Sequence, residues 1–303
     1  MRHTTEQNPF SLNENGFCSV VTTTMTEKII EFAQAETAAG DKPHIRLPLK
    51  HSPKLQQVID RVNADEELYS LWLAQNVNAV DRLGMSDHGP VHMNIVANIA
   101  LRLTRLLQDE QVEFALVKNY GETFGFTFDD VQIVVVLAAL THDVGMSIHR
   151  IDHEQYSLFV AQPILKRLLE EVYEIGAATI MRSEVLHAII SHRAGGRPMT
   201  VEAGIVRVGD ALDMSQGRSR IPFQAGNVNI HSVSAAAIDK VEISHGEERP
   251  IRIRIVMNNS AGIFQVDELM KDKLKGSGIE KYVEVEATVT GETEKKLVTI
   301  VKI

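Results

Sequence analysis

The residues of this sequence with the clearest capacity for chemistry are His142 and Asp143, in the run Thr141-His142-Asp143-Val144-Gly145. They follow residues 131–140, an apolar stretch interrupted only by Gln132. That places them at the carboxyl end of a helix that is apolar almost all round, where the helix dipole is negative and favours a cation. A buried carboxylate there is costly without a metal or a positive partner. A neutral imidazole beside an ionised carboxylate is a good ligand pair for a borderline divalent ion. A His-Asp dipeptide by itself is common, and it is the position that gives this one weight.

Other candidates stand on separate elements. His92 is in register with Val96, Ile99 and Leu103; taken singly, such a histidine is more often a hydrogen-bonded core residue. His88, four residues earlier, can share its helical face, a recurrent metal-binding spacing. Asp210 lies in Val206-Arg207-Val208-Gly209-Asp210-Ala211-Leu212-Asp213, an acid in an apolar helix that wants a partner. Asp213 shares its face and reads as a local hydrogen-bonding residue or cap. His153 opens a helix just past the His-Asp turn. His187 and His192, five residues apart, cannot share a face. His192, beside Gly195-Gly196 where a site would open, is the expected ligand of the two. His149 is expected to face a substrate or to support the ligands.

Composition narrows the chemistry. Cys18 is the only cysteine, so no intrachain disulfide can form and any metal must be held by His, Asp or Glu, with 12 histidines available. A lone cysteine suits a cytoplasmic protein. The net charge of −9 argues against extensive nucleic-acid binding, which needs many basic contacts to phosphates, yet leaves room for a small basic pocket. No apolar run approaches the roughly 20 residues needed to cross a bilayer, so no membrane partner is expected. At 303 residues, with 44% hydrophobic and 23% charged, the chain reads as globular, with one large domain and a smaller one.

The elements that must position these residues follow from periodicity. Residues 54–73 carry Leu55, Val58, Ile59 and Val62 at helical spacing. Asp87 and Pro90 mark the start of a helix reaching about Leu107, and 110–127 reads as a connection. Thr127 with Asp130 has the form of a capping box for the helix that ends in His142, with Gly145 as its stop. Asp152 caps a helix to about Tyr173, which Pro163 should kink or split. A helix over 177–192 precedes Gly195-Gly196, and Thr200 caps another through Met214. Further on, Ile251, Ile253 and Ile255 alternate with Arg252 and Arg254, and Val283, Val285, Ala287 and Val289 with Glu284, Glu286 and Thr288, as in half-buried strands. Strands are also expected near 240–244 and 297–303, with a helix over 264–275 between the pairs. The expected organisation is a tail over 1–24 without the features of a signal peptide, Met25 being a candidate start; a helical domain over 25–225; and a small α+β domain of ββαββ order over 226–303. In that domain an arginine face and a glutamate face can pair.

The ordered set His92, His142-Asp143, a further histidine or two, then Asp210, each on its own helix, resembles the HD-domain metal-dependent phosphohydrolase superfamily. That family is a mainly α helical bundle whose ligands come in the order His, His-Asp, Asp. The resemblance spans roughly residues 80–220. It implies that His92, His142, Asp143 and Asp210 hold one divalent metal and that Asp143 bridges to a second, held by His153 and His192 with His187 or His88. His153-Glu154 with Ser157, and Ser191-His192 before glycines, are similar to the two-metal members. One or two ions of Mn, Fe, Ni, Zn or Mg are the expected cofactor. Met146 stands where the cyclic-dinucleotide phosphodiesterase branch has lysine, and Gly195-Gly196-Arg197-Pro198 departs from that branch's Gly-Tyr-Pro.

The implied activity is cleavage of a phosphate ester of a nucleotide or related small molecule by a metal-activated water. Asp143, His88 and His149 are the catalytic candidates, either histidine serving as proton donor to the leaving oxygen. Arg150, Arg193, Arg197, Arg218 and Arg220 are the candidate phosphate-binding cations, Arg150 foremost. The rival readings are a di-iron oxygenase on the same bundle and a non-catalytic metal-containing module that senses a ligand. The C-terminal domain reads as a dimer interface, a pocket wall or an effector site, with a homodimer as the expected assembly.

Overall fold

The apolar stretch 131–140 lies at the centre of the protein, and all ten of its side chains are buried. The structure, a computed structural model, describes residues 44–49, 52–193, 195–214, 230–290 and 300–302. The bundle comprises α1 (Pro53–Ala64), α2 (Glu66–Asn76) running on into a π-helical turn (Val77–Arg82), α3 (Pro90–Asp109), α4 (Ala115–Phe124), α5 (Phe128–Thr141) followed by a 3-10 turn (Val144–Ser147), α6 (His153–Leu169), α7 (Ile175–Ser191) and α8 (Val201–Ala211). Helices α3, α7 and α8 pack around α5. With its 3-10 turn α5 forms the apolar segment Phe128–Ser147, 20 residues long. By length and composition it could cross a bilayer, a longer segment than the apolar run alone suggests, and 94% of its most apolar window is buried in the bundle.

Local chemistry sets the helix boundaries. The capping box forms as expected: Asp130 Oδ2 accepts from the Thr127 N–H at 2.7 Å. Thr200 likewise caps α8, accepting from the Ala203 N–H at 3.1 Å. Residues 54–73 do not form one helix. Asp65 interrupts them, its carboxylate accepting from the Leu68 N–H (2.8 Å) and from Arg167 on α6 (2.6 Å), while the apolar spacing runs on across the break. The supposed connection 110–127 contains α4. Its start is capped from α8 by buried Glu202, which accepts from the Leu116 and Ala115 N–H groups at 2.9 and 3.3 Å. Pro163 does not split α6, which runs on from His153 to Leu169; the proline lies on the exposed face, where water can satisfy the carbonyl it leaves without a donor. Asp152 precedes α6 as expected, but in the left-handed region (φ 59°) and without a side-chain capping bond.

Helix α9 (Ile230–Ala236) leads into β1 (Ile238–His245) and β2 (Ile251–Met257). The helical segment α10 begins at Gly262–Phe264, runs as π helix over Gln265–Lys271 and finishes at Asp272–Leu274; β3 (Val283–Val289) and β4 (Ile300–Lys302) follow. The sheet order is β1-β2-β3-β4. β1 and β2 pair antiparallel, as do β3 and β4, whereas β2 and β3 run parallel, with α10 on the connection such a pair requires. Arg252 pairs with Glu286, and Arg254 with Glu242 at 3.4 Å, so the arginine and glutamate faces do meet. The other face is buried and apolar. β1 and β2 contact α3, α10 contacts α8, and one continuous buried cluster joins sheet and bundle.

Candidate metal centre

Five helices or helix ends converge on Asp143. His142 and Asp143 stand just past α5, and the turn they occupy is locked from both sides. Ser157 on α6 donates to the His142 carbonyl (2.7 Å) and accepts from the Gly145 N–H (2.8 Å). Gly145 is required for a reason other than a left-handed stop: a Cβ there would lie 2.1 Å from the His153 carbonyl oxygen and 2.4 Å from the Ser157 nitrogen. On the other side Trp72 donates to the Leu140 carbonyl (2.9 Å), one of the acceptors a helix end leaves open, and Asn78 to the Met146 carbonyl (2.7 Å). Asn76 accepts from the His88 N–H (3.0 Å), so the same α2 segment also holds the start of α3. The π-helical turn where α2 ends thus braces both halves of the centre, a common location for such turns.

Around Asp143 the histidines share one design: Nδ1 is tied outward, which leaves Nε2 for the interior. Nδ1 of His142 donates to the Ala139 carbonyl (2.8 Å), that of His192 to Ile189 (2.6 Å) and that of His88 to Ser86 (2.7 Å), while that of His153 lies between the Arg150 carbonyl (3.0 Å) and the Arg150 guanidinium (2.8 Å). Nδ1 of His92 donates instead to the Asp213 carboxylate (2.6 Å). The inward atoms form two groups. His92 Nε2 and His142 Nε2 lie 3.7 and 3.4 Å from Asp143 Oδ2, and 3.7 and 3.6 Å from Asp210 Oδ1. His153 Nε2 and His192 Nε2 lie 3.0 and 3.6 Å from the other oxygen, Asp143 Oδ1. His88 Nε2 is at the edge, 4.0 Å from Asp143 Oδ2. The Nε2 atoms of His92 and His142 are buried without a hydrogen-bond partner among the described residues.

That donor set fits a divalent ion. Neighbouring donors on a tetrahedral ion with bonds near 2.1 Å stand about 3.4 Å apart, close to the observed spacings, and an ion between them would satisfy the two orphaned nitrogens. His92, His142 and Asp210 converge in this way, as do His142, Asp143 and His192, and also His153, Glu154 and His192. Electrostatics prepare the site for a cation. Burial alone would raise Asp143, but His142, His153 and His192 hold it well below the usual carboxylate range. Asp210, also buried, is held well below that range by Lys273 and His142. Burial pushes His142 down, yet Asp143 and Asp210 outweigh it and raise it to about 9. His192 is lowered, by burial above all.

Not every sequence candidate joins the centre. His187 turns away: its Nε2 accepts from the Met199 N–H (3.1 Å) and its Nδ1 faces Ser191 Oγ (3.4 Å), so its ring is committed to the loop before α8. His149 is exposed on the loop before α6, its Nδ1 accepting from the Ile151 N–H at 3.1 Å. Arg150 places a guanidinium nitrogen 2.8 Å from His153 Nδ1. Arg193 and Arg197 are exposed on the α7–α8 loop, and Arg218 and Arg220 lie outside the described residues. Two members were not assigned to the centre from sequence. Asp213, read as a local cap, orients His92 from a buried position. Lys273 of α10 donates to Asp210 Oδ2 (3.2 Å) and to the His192 carbonyl (2.7 Å); a single lysine 63 residues from its partner leaves no spacing signal.

The family model described as "HD domain" matches residues 91–215. The chain is also 40% identical over 244 residues to an uncharacterized protein of Methanocaldococcus jannaschii, the match covering 80% of this chain and 92% of that one. No solved structure matches it.

Proposed function

Because this chain belongs to the HD-domain family, we propose that it is a metal-dependent phosphohydrolase acting on a small phosphate ester such as a nucleotide. The observation that supports this most is the division of Asp143 between two sets of histidine Nε2 atoms, one at each carboxylate oxygen. His92, His142, Asp143 and Asp210 would hold one ion, and Asp143, His153 and His192 a second, with Glu154 beside them. When bound, such ions lower the pKa of a coordinated water and neutralise charge on a phosphoryl group.

The remaining work falls to the chain. The outward Nδ1 bonds of His92, His142 and His192 favour the tautomer that offers Nε2 and fix the direction of each ring. His88 Nε2, at the edge of the cluster 4.0 Å from Asp143 Oδ2, would hold the proton that a leaving oxygen takes up when the ring is doubly protonated, its Nδ1–H remaining on the Ser86 carbonyl. The Arg150 guanidinium stands at the ring of His153, beside the second group, and can fork two hydrogen bonds onto a phosphate. Exposed His149 and the α7–α8 loop arginines would act at the mouth, on the parts of a substrate outside the centre.

A panel of nucleoside mono-, di- and triphosphates and p-nitrophenyl esters, assayed for released phosphate or phenol with Mn²⁺ and again with chelator, tests this reading. Metal-dependent release that is abolished in Asp143→Ala is expected. Metal-loaded protein that hydrolyses nothing in the panel, yet consumes oxygen when loaded with iron, would replace the hydrolase with an oxygenase.

A further inference from the structure

The C-terminal part of the chain reaches the candidate centre through Lys273. Lys273 is largely buried, 17% exposed, and its ammonium group joins Asp210 Oδ2 on α8 to the carbonyl of His192 at the end of α7. We infer that Lys273 is a positioning residue of the centre, and that α10 is therefore a wall of the site whose seating is coupled to metal occupancy. The inference rests on the reading above that the centre binds divalent metal.

The geometry gives the ammonium two tasks. A carboxylate free to rotate can offer a metal either oxygen or both. With Oδ2 held by Lys273, Asp210 presents Oδ1 alone, at 3.6 and 3.7 Å from His142 and His92 Nε2. The second bond satisfies a carbonyl left open where α7 ends and fixes the backbone from which His192 Nε2 reaches Asp143 Oδ1. The lysine is itself held in place. Buried Arg207 of α8 donates to the carbonyls of Lys273 (2.8 Å), Asp272 (3.0 Å) and Gly196, and so clamps the end of α10 to both α8 and the α7–α8 loop. Gly204 lets the chain after α10 approach α8 so closely that a Cβ would stand 2.2 Å from the Ser277 carbonyl oxygen. A shift of α10 away from α8 must therefore release Asp210, and ions that need Asp210 in place must favour the seated α10. By linkage the two effects are equal in free energy.

Mn²⁺ is the probe, titrated into the full chain by calorimetry, with hydrogen exchange followed over residues 262–282 in its presence and absence. In wild type Mn²⁺ should slow exchange over α10. Lys273→Met should bind Mn²⁺ at least about tenfold more weakly, the loss typical of a group that supports a ligand, and should lose the Mn²⁺-induced protection. Lys273→Gln, which keeps a donor without the charge, should fall between, and it carries the test if the methionine variant does not fold. Lys271→Met, on the same helix but exposed and paired with Asp267, should match wild type. Equal Mn²⁺ affinity and equal α10 protection in wild type and Lys273→Met would overturn the inference while leaving the proposed function intact. No Mn²⁺ binding by wild type would overturn both.

Discussion

Nδ1 of His142, His192 and His88 meets a backbone carbonyl, whereas that of His92 meets a carboxylate. Asp213 is buried, and it makes His92 a stronger donor to a cation than a backbone carbonyl would. Asp213→Ala should weaken Mn²⁺ binding by about 10–100-fold with the helical circular dichroism unchanged; unaltered affinity would mean that Asp213 serves packing only. His142 gives a second prediction at this scale. Its folded-state pKa of about 9 lies above the ordinary 6.5. In metal-free protein its proton therefore contributes stability that is complete below about pH 6.5 and lost as pH rises through about 9. A metal must expel that proton. Apparent Mn²⁺ affinity should tighten about tenfold per pH unit from pH 7 towards 9, with about one proton released per ion. Calorimetry in buffers of different ionisation heat measures this, and flat affinity with no proton release would contradict it.

At the scale of elements, the centre depends on a backbone approach that tolerates no extra atoms, that of Gly145 to α6. Gly145→Ala would place a methyl inside the backbone of α6 at His153 and Ser157. Because backbone and not a flexible side chain is in the way, α6 must move, taking His153 with it. A loss of about 3 kcal/mol or more is expected in urea unfolding, beyond the usual range for overpacking, together with loss of metal binding. A variant with wild-type stability would show that α6 docks differently. Glu202 makes the complementary case. It caps α4 from a buried position, so Glu202→Ala leaves the Ala115 and Leu116 N–H groups without their acceptor and should destabilise by about 1–3 kcal/mol. Metal affinity should stay unchanged, since α4 takes no part in the centre.

These elements also show where the sequence was readable. The capping box at Thr127 and Asp130, the cap at Thr200 and the alternating strands rest on patterns a few residues long, and they stand in the structure as expected. The centre's main residues were readable because a buried histidine or aspartate on an apolar helix is conspicuous. What local patterns could not carry is long-range. Asp65 breaks a helix by pairing with Arg167, α4 is capped from α8, and Lys273 meets Asp210 through the packing of α10 on α8. His187 was ambiguous for a geometric reason: five residues from His192, it shares the helix end in sequence but turns to Met199 in space.

At the scale of the whole molecule, the bundle carries the candidate ligands, the sheet packs on α3, and α10 reaches the candidate centre through Lys273. Two buried nitrogens, Nε2 of His92 and of His142, have no hydrogen-bond partner among the described residues, as expected of a candidate metal cage formed in advance of its ion. The most direct test is metal content per chain by elemental mass spectrometry, on protein purified without chelator and after reconstitution, for wild type and Asp143→Ala. The account predicts about two divalent equivalents, one for each oxygen of the bridging carboxylate, and their loss in the variant. No metal above background in wild type after reconstitution with Mn²⁺, Fe²⁺, Ni²⁺ or Zn²⁺ would contradict it.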